Sequence, residues 1–297
     1  MNRVLDWLGR IPRPLLAAFG AAVGWLAWTL RLRRRVALQN LRLAFPEKTE
    51  AERIAIARAT YRHLGQMIPD FLRVPTLGPE ELDRLFVNEG WERFLEAKAR
   101  GKGVIACTAH FGNFDLLAAA QTRRGVPITM ISRVMGKNPF NDLIRAARQR
   151  SGVEDLVVQK GQTMRAAIRA LQSGRVLGYV FDQNQNTRPI FPTFFGVPAA
   201  TASTPAFLAR KTGAAVVFTV SVPLGDGRHR VVIEGPYDPP DTGDREADDL
   251  AFMQTLNDRL EHWVRLHPER WYWLHRRWKT RPPPEAAAPA APAAPAN

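Results

Sequence analysis

The sequence predicts an α/β fold, in which a mixed, largely parallel sheet is flanked by helices. From position 103 onward, short runs rich in Val, Ile and Phe alternate with stretches of helical periodicity. The chain has 297 residues, 45% of them hydrophobic, which is enough to build the core of such a domain. In sheets of this kind ligands meet the carboxyl ends of the strands, so we look for functional side chains there.

The first element is an apolar segment over residues 14–30. It carries no charge for 17 residues and is followed at once by arginines at positions 31, 33, 34 and 35. That length is the lower limit for a bilayer-spanning helix, and the positive-inside rule would put the arginines in the cytoplasm. We therefore expect residues 1–36 to form a membrane-anchoring helix with a basic flank. A monotopic helix in the headgroup layer and a buried first helix are the alternatives.

The remaining elements follow from local patterns. Thr49 and Glu52 have the spacing of a capping box at the start of a helix that runs towards Leu64. Candidate strands cover residues 104–108, 127–131, 156–159, 176–181, 215–222 and 229–234, and candidate helices cover 113–123, 139–150, 162–172, 204–211 and 244–266. We expect residues 37–281 to form one domain, and the Ala- and Pro-rich residues 282–297 to be a disordered tail.

The charge balance points to an anionic partner. With 42 Lys and Arg against 28 Asp and Glu, the formal net charge is +14. Such a surplus suits nucleic acid, a membrane surface, or a phosphorylated substrate or carrier. We exclude nucleic acid, because the arginines and tryptophans form no known binding module and the long uncharged segment would be unusual in a soluble binder. Cys107 is the only cysteine, so we expect a core residue and no thiolate metal cluster.

The stretch GVIACTAHFGNFDLLA ends a predicted strand on His110 and places Asp115 five residues later. On one helix these side chains would point about 140° apart, so the chain must turn between them, and Gly112 and Asn113 suit that turn. Asp115 could then accept a hydrogen bond from one imidazole nitrogen and leave the other as a general base. The alternative is a helix-capping Asp beside a core His.

This arrangement offers a base without a nucleophile. The chain has no G-x-S-x-G motif, which argues against a serine nucleophile. One His and one Asp at this spacing lack a third ligand and an H-E-x-x-H pattern, so we expect no metal site. A base alone suits direct transfer to a substrate hydroxyl.

TAHFGNFDLL resembles the His-x4-Asp/Glu motif of the lysophospholipid acyltransferase superfamily, and specifically the lipid A biosynthesis late acyltransferases, the lauroyl and myristoyl transferases of Gram-negative bacteria. Four other blocks resemble that family in the same order and, with the motif, cover most of residues 30–281: RRRVALQNLRLAFPE, SRVMGKNPFNDLIRAARQRSG, GRVLGYVFDQNQNTRPIFPTFFGVPAATASTPAFLARKTGAAVV and PERWYWLHRRWKTRP. The resemblance implies an acyltransferase-like fold for residues 37–281.

The resemblance also implies a reaction. A fatty acyl chain would pass from acyl carrier protein to a hydroxyl of a lipid A precursor, at the cytoplasmic face of the bacterial inner membrane. His110 would be the base and Asp115 would orient it, with no acyl-enzyme and no cofactor besides the acyl-carrier or acyl-CoA co-substrate. The alternative is acyl-CoA-dependent acylation of another glycolipid, such as a phosphoinositide mannoside, where similar motifs occur.

By resemblance, further residues would contact the substrates. Arg148 first, and Arg133 second, would bind acceptor phosphates, because a guanidinium offers planar, bidentate donors. Asp182 matches the family's acidic position at a strand end, and Asn113 lies in the catalytic turn, so both are substrate-binding candidates. The following loop, NQNTRPI, departs from the family's pattern and leaves its substrate contacts open.

Two aromatic segments complete the candidate site. Phe194, Phe195 and Gly196 would line part of an acyl pocket, with a role in the core as the alternative. The segment RWYWLHRRWK is basic and rich in Trp. Its Trp residues suit a membrane interface, and Arg276, Arg277 and Lys279 suit phosphates.

Overall fold

The computed structural model describes residues 5–7, 10–132, 139–157, 162–224 and 227–283. The predicted phosphate ligand Arg133, part of the predicted strand 156–159 and almost all of the predicted tail lie outside the described residues. The helices are α1 (Arg13–Thr29), α2 (Arg34–Ala44), α3 (Glu50–Arg73), α4 (Pro79–Leu85), α5 (Trp91–Ala99), α6 (Phe114–Arg123), α7 (Pro139–Arg150), α8 (Thr163–Gln172), α9 (Thr204–Thr212) and α10 (Arg245–Leu266).

The strands form the predicted mixed, largely parallel sheet. Among the described residues it has seven strands in the order β1-β9-β8-β2-β5-β3-β4. All neighbours are parallel except β8 and β9. The strands are β1 (Phe86–Glu89), β2 (Val104–Thr108), β3 (Ile128–Ser132), β4 (Glu154–Val157), β5 (Val176–Val180), β8 (Ala215–Pro223) and β9 (His229–Tyr237), while β6 (Thr193–Phe194) and β7 (Val197–Pro198) form a separate hairpin. The α/β prediction is confirmed.

The core lies on both faces of this sheet. Along β2, Ile105 and Cys107 pack into one cluster of buried residues, while Val104 packs into a cluster on the other side. This alternation is the two-residue period of a strand, and burial of both faces explains why the strand reads as a continuous apolar run. Cys107 is buried, as predicted.

The helix α3 begins as predicted but ends later. The capping box is present, since the Thr49 side chain accepts from the Glu52 N–H and the Glu52 carboxylate accepts from the Thr49 N–H. Instead of ending near Leu64, α3 continues to Arg73. The glycine at position 65 serves close helix packing, because a Cβ there would lie 2.0 Å from the carbonyl oxygen of Gly20 in α1.

One side of α1 packs along α3 and the other is exposed. Gly24 approaches Tyr61 so closely that a Cβ would lie 2.3 Å from its carbonyl oxygen. Leu15, Phe19 and Trp25 are each more than 60% exposed. By length and composition, no single helix among the described residues could cross a bilayer. The segments Pro14–Thr29 and Arg34–Ala44 pass that criterion together but are bent by 88°.

Candidate active site

The loop after β2 carries His110 to the carboxyl edge of the sheet. Gly112 has a φ of +58°, and a Cβ there would lie 1.9 Å from the carbonyl oxygen of Ser221, so only glycine fits. Asn113 caps α6, because its side-chain oxygen accepts a hydrogen bond of 3.1 Å from the Leu116 N–H. The predicted turn between His110 and the next helix is therefore confirmed.

Both carboxylate oxygens of Asp182 form hydrogen bonds with His110. One carboxylate oxygen, Oδ1, lies 2.8 Å from Nδ1 of the ring, and Oδ2 accepts the backbone N–H of His110 at 3.0 Å. Oδ2 also accepts the indole N–H of Trp271 at 2.7 Å. With only 2% of Asp182 exposed, these bonds hold the carboxylate and the imidazole in one orientation.

The electrostatics keep Asp182 ionised. Burial by itself would raise the pKa of Asp182, but the attraction and hydrogen bond of His110, the Trp271 N–H and the charge of Arg277 outweigh burial and hold that pKa below its ordinary value. An ionised Asp182 can only accept a hydrogen bond, so Nδ1 of His110 carries the proton and Nε2 presents its lone pair. The side-chain amide nitrogen of Gln183 lies 3.1 Å from Nε2, and 25% of the His110 side chain is exposed.

The expected hydrogen bond from His110 to Asp115 is not present between these two described residues. Asp115 Oδ1 instead accepts from Nε of Arg148 at 2.8 Å. The same guanidinium bonds to Asp155 at 2.8 Å and to the hydroxyl of Ser132 at 2.7 Å. The prediction of Asp115 as hydrogen-bond partner was wrong, because Asp115 lies in the first turn of α6 within reach of α7 and β4.

Comparison with known proteins matches this chain to one family over nearly its full length. The family model described as "Bacterial lipid A biosynthesis acyltransferase" matches residues 1–280. The chain belongs to that family. The resemblance to the lipid A biosynthesis acyltransferases is therefore confirmed.

Curated relatives agree with the family match. The acyltransferase is 27% identical over 290 residues to a lipid A biosynthesis lauroyltransferase of Escherichia coli (strain K12), covering 94% of this chain and 92% of the relative. It is 28% identical over 274 residues to a lipid A biosynthesis myristoyltransferase of the same strain, covering 92% and 82%. A phosphatidylinositol mannoside acyltransferase of Mycobacterium tuberculosis (strain CDC 1551 / Oshkosh) is 25% identical over 224 residues, covering 74% and 69%.

Three predicted substrate-binding side chains of the acyltransferase form hydrogen bonds within the protein. Arg148 is 7% exposed and its guanidinium is shared between two carboxylates, which leaves an internal ion-pair cluster in place of a free phosphate ligand. Asp182 accepts three hydrogen bonds from His110 and Trp271. The Asn113 amide donates to the carbonyl of Met67 at 2.7 Å. In this structure the three groups form part of the hydrogen-bond network of the site, and their contact with substrate stays a prediction.

The two phenylalanines predicted to line an acyl pocket pack among other aromatic rings. Phe194 is fully buried, with ring centroids 5.3 Å from Trp271 and 5.7 Å from Trp278. Phe195 packs on Phe45 at 5.1 Å. Gly196 lies in the exposed turn of the β6–β7 hairpin. The structure therefore favours the core role for both rings, because the hairpin folds over the Trp-rich segment.

The Trp-rich segment is part of the interior of the acyltransferase. Trp271, Trp273 and Trp278 are buried, which corrects the expectation of a membrane interface. Arg277 is fully buried, donating to the Ala200 carbonyl and the Thr201 hydroxyl, and burial lowers the pKa of Arg277 to about 10. The segment is held inside because it crosses the carboxyl edge of the sheet, where the Tyr272 N–H donates to the His110 carbonyl at 2.9 Å. Arg276 and Lys279 are exposed.

Sequence reasoning passed over two groups of this site. Gln183 directly follows Asp182 at the carboxyl end of a strand, and that position could have identified it as a candidate site residue. Trp271 lies 89 residues from Asp182 and carries no local signal. Among the described residues, no group of three or more His, Cys, Asp or Glu side chains could hold a metal ion.

Proposed function

We propose that this acyltransferase moves a fatty acyl chain from acyl carrier protein to a hydroxyl of a lipid A precursor, with His110 as general base. The His110–Asp182 pair carries the proposal. Because Asp182 holds the proton on Nδ1, Nε2 is the basic atom, and it lies at the carboxyl edge of the sheet on a partly exposed ring. The family supplies the reaction class.

The proposed step needs no covalent enzyme intermediate. Nε2 of His110 takes the proton of the acceptor hydroxyl as its oxygen bonds to the thioester carbonyl carbon. The tetrahedral intermediate then collapses, the carbon–sulfur bond breaks, and the leaving thiolate takes the proton from His110. Throughout, the ionised Asp182 stabilises the transient imidazolium without itself being protonated.

The Gln183 amide and the backbone N–H groups of the turn lie close to His110 and bear on this scheme. The Gln183 amide occupies the position beside Nε2 that the acceptor hydroxyl must take, so acceptor binding displaces it. The oxyanion of the tetrahedral intermediate also needs a hydrogen-bond donor, but the Gly112 N–H already donates to the Arg270 carbonyl at 2.9 Å. The N–H of Phe114, in the first turn of α6, remains a candidate for that role.

We also propose that the enzyme works at the cytoplasmic face of the bacterial inner membrane. The exposed apolar side of α1, with Leu15, Phe19 and Leu26, suits the acyl region of a bilayer. The arginines that follow α1 suit the anionic headgroups of the cytoplasmic leaflet. Because α1 packs lengthwise on α3, a helix lying in the headgroup layer fits better than a free spanning anchor.

The donor and acceptor each have an alternative. The net charge of +14 favours an anionic donor, a description that suits acyl carrier protein and also acyl-CoA. The relative named phosphatidylinositol mannoside acyltransferase keeps another glycolipid acceptor in consideration. Lipid A is preferred, since the relatives that cover more of the chain carry that name.

The decisive experiment is transfer of a radiolabelled acyl chain from acyl carrier protein to a tetra-acylated, sugar-bearing lipid A precursor in detergent. Label in the lipid with wild type, and none with His110→Ala, is the expected result. Equal transfer by the two proteins would overturn His110 as base. Transfer only from acyl-CoA, or only to a phosphoinositide mannoside, would replace the proposed donor or acceptor.

A further inference from the structure

A second histidine lies behind the catalytic turn. His63, on α3, is 6% exposed and has both ring nitrogens engaged. Its Nε2 lies 3.3 Å from the carbonyl oxygen of Gly112, and its Nδ1 lies 3.0 Å from a guanidinium nitrogen of Arg270. Gly112 is only two residues beyond His110, so the ring of His63 contacts the loop that carries the proposed base.

The partners of His63 determine its tautomer. A carbonyl oxygen can only accept a hydrogen bond, and a guanidinium can only donate one. Nε2 of His63 therefore carries the proton and Nδ1 presents its lone pair. Burial, followed by repulsion from Arg270, lowers the pKa of His63 to about 3, which keeps the ring neutral near neutral pH.

Both the carbonyl and the N–H of Gly112 are therefore hydrogen-bonded. The carbonyl accepts from His63, and the N–H donates to the Arg270 carbonyl at 2.9 Å. Arg270 contacts His63 as well, because its guanidinium donates a hydrogen bond to Nδ1 of His63. One residue further on, the Asn113 amide donates to the carbonyl of Met67, a second attachment of the turn to α3.

We propose that His63 is a positioning residue for acyl transfer. By holding the Gly112 carbonyl, it sets the course of the turn and hence the direction of the His110 imidazole and of the first-turn N–H groups of α6. A cavity of about 460 Å³ lies beside this turn, lined in part by His63, Asn113 and Arg270, so an untied turn has space to move. This inference rests on the proposed role of His110.

The test compares three variants of the full chain. His63→Leu removes both nitrogens at similar volume, whereas His63→Gln keeps an amide donor for the Gly112 carbonyl. His262→Leu, at an exposed histidine on α10 remote in sequence, is the matched control. If His63→Leu does not give folded protein, His63→Phe keeps a ring without the nitrogens and serves the same purpose.

The kinetic readout is the split between kcat and KM. For His63→Leu we expect kcat to fall about 10- to 100-fold, since small misplacements of a catalytic group have effects of that size, while the KM for donor and acceptor change less than about threefold. His63→Gln should recover most of the lost kcat, and His262→Leu should match wild type. An unchanged kcat in His63→Leu, or a fall in His63→Gln as deep as in His63→Leu, overturns the proposal.

Hydrogen exchange supplies a readout that does not depend on turnover. Loss of the Gly112 tie should speed amide exchange in the peptide spanning residues 109–115 of His63→Leu, with strand β2 protected as in wild type. Faster exchange there supports the tie even if wild type transfers no acyl chain in the assay, which would count against the proposed function alone. Unchanged exchange in that peptide counts against His63 alone.

Discussion

Oδ1 of Asp182 lies 2.8 Å from Nδ1 of His110, although 72 residues separate them in the chain. The sheet register brings them together. Strands β2 and β5 are parallel neighbours, and Thr108 at the end of one is paired with Val180 at the end of the other. His110 lies two residues beyond Thr108, and Asp182 lies two residues beyond Val180. The two side chains are therefore neighbours at the carboxyl edge of the sheet.

Replacing the proposed base His110 should slow the reaction strongly and preserve the fold. For His110→Ala we expect a fall in kcat of about 10²- to 10⁴-fold, the usual contribution of a positioned general base. The thermal midpoint should change little, because the side chain is partly exposed. Acyl transfer and thermal unfolding, measured on the same preparations, check both parts, and substantial residual turnover would contradict the assignment.

Neutralising Asp182 should lower kcat more than neutralising Asp115. Asp182→Asn removes the charge that holds the His110 tautomer, and we expect kcat to fall by about 10²- to 10⁴-fold with little change in KM. Asp115→Asn should have a smaller effect on kcat, because Asp115 contacts Arg148 and forms no hydrogen bond to His110 among the described contacts. Measuring kcat and KM for both variants under the same conditions tests this difference. An equal loss from Asp115→Asn would restore the orienting role first expected of it.

Arg148→Lys should weaken the fold more than acceptor binding. A lysine keeps the charge but cannot bridge Asp115, Asp155 and Ser132 together, so about 1 to 3 kcal/mol of unfolding free energy should be lost. Denaturant unfolding measures that loss, and acceptor KM should stay near the wild-type value. A large rise in acceptor KM at unchanged stability would instead return Arg148 to the substrate site.

The exposed side of α1 should carry membrane association. Phe19→Glu combined with Leu26→Glu places charges on that side, and we expect weaker co-sedimentation with vesicles of anionic phospholipid. Leu266→Glu, at an exposed leucine at the end of α10, is the matched control and should bind as wild type does. Equal binding by all three proteins would show that another surface meets the membrane.

His63 should make stability depend on pH. Its pKa is about 3 in the folded chain against an ordinary value of 6.5, so between these values the unfolded chain binds more protons. The unfolding free energy should therefore fall as pH drops through this window, by up to about 1.4 kcal/mol per pH unit. Denaturant unfolding at several pH values should show a shallower fall for His63→Gln. Identical slopes would mean that His63 is not buried neutral.

Local sequence pattern determined much of the fold. The helix over residues 139–150 matches α7 at both ends, and the strand at 104–108 matches β2. Both depend on the periodicity of apolar residues over short distances. The short strands β1, β6 and β7 were missed because two to four residues are too few to establish a period.

The sequence by itself determined that His110 directly follows a strand, that Gly112 and Asn113 turn the chain, and which family the chain resembles. Only the tertiary structure decided that Asp182 is the hydrogen-bond partner of His110, that Arg148 pairs with Asp115, and that Trp271 is buried against the Asp182 carboxylate. The reason is physical. Strand periodicity reports which residues face the core, but the order of strands, and hence which distant side chains meet at the sheet edge, depends on the packing of the whole chain.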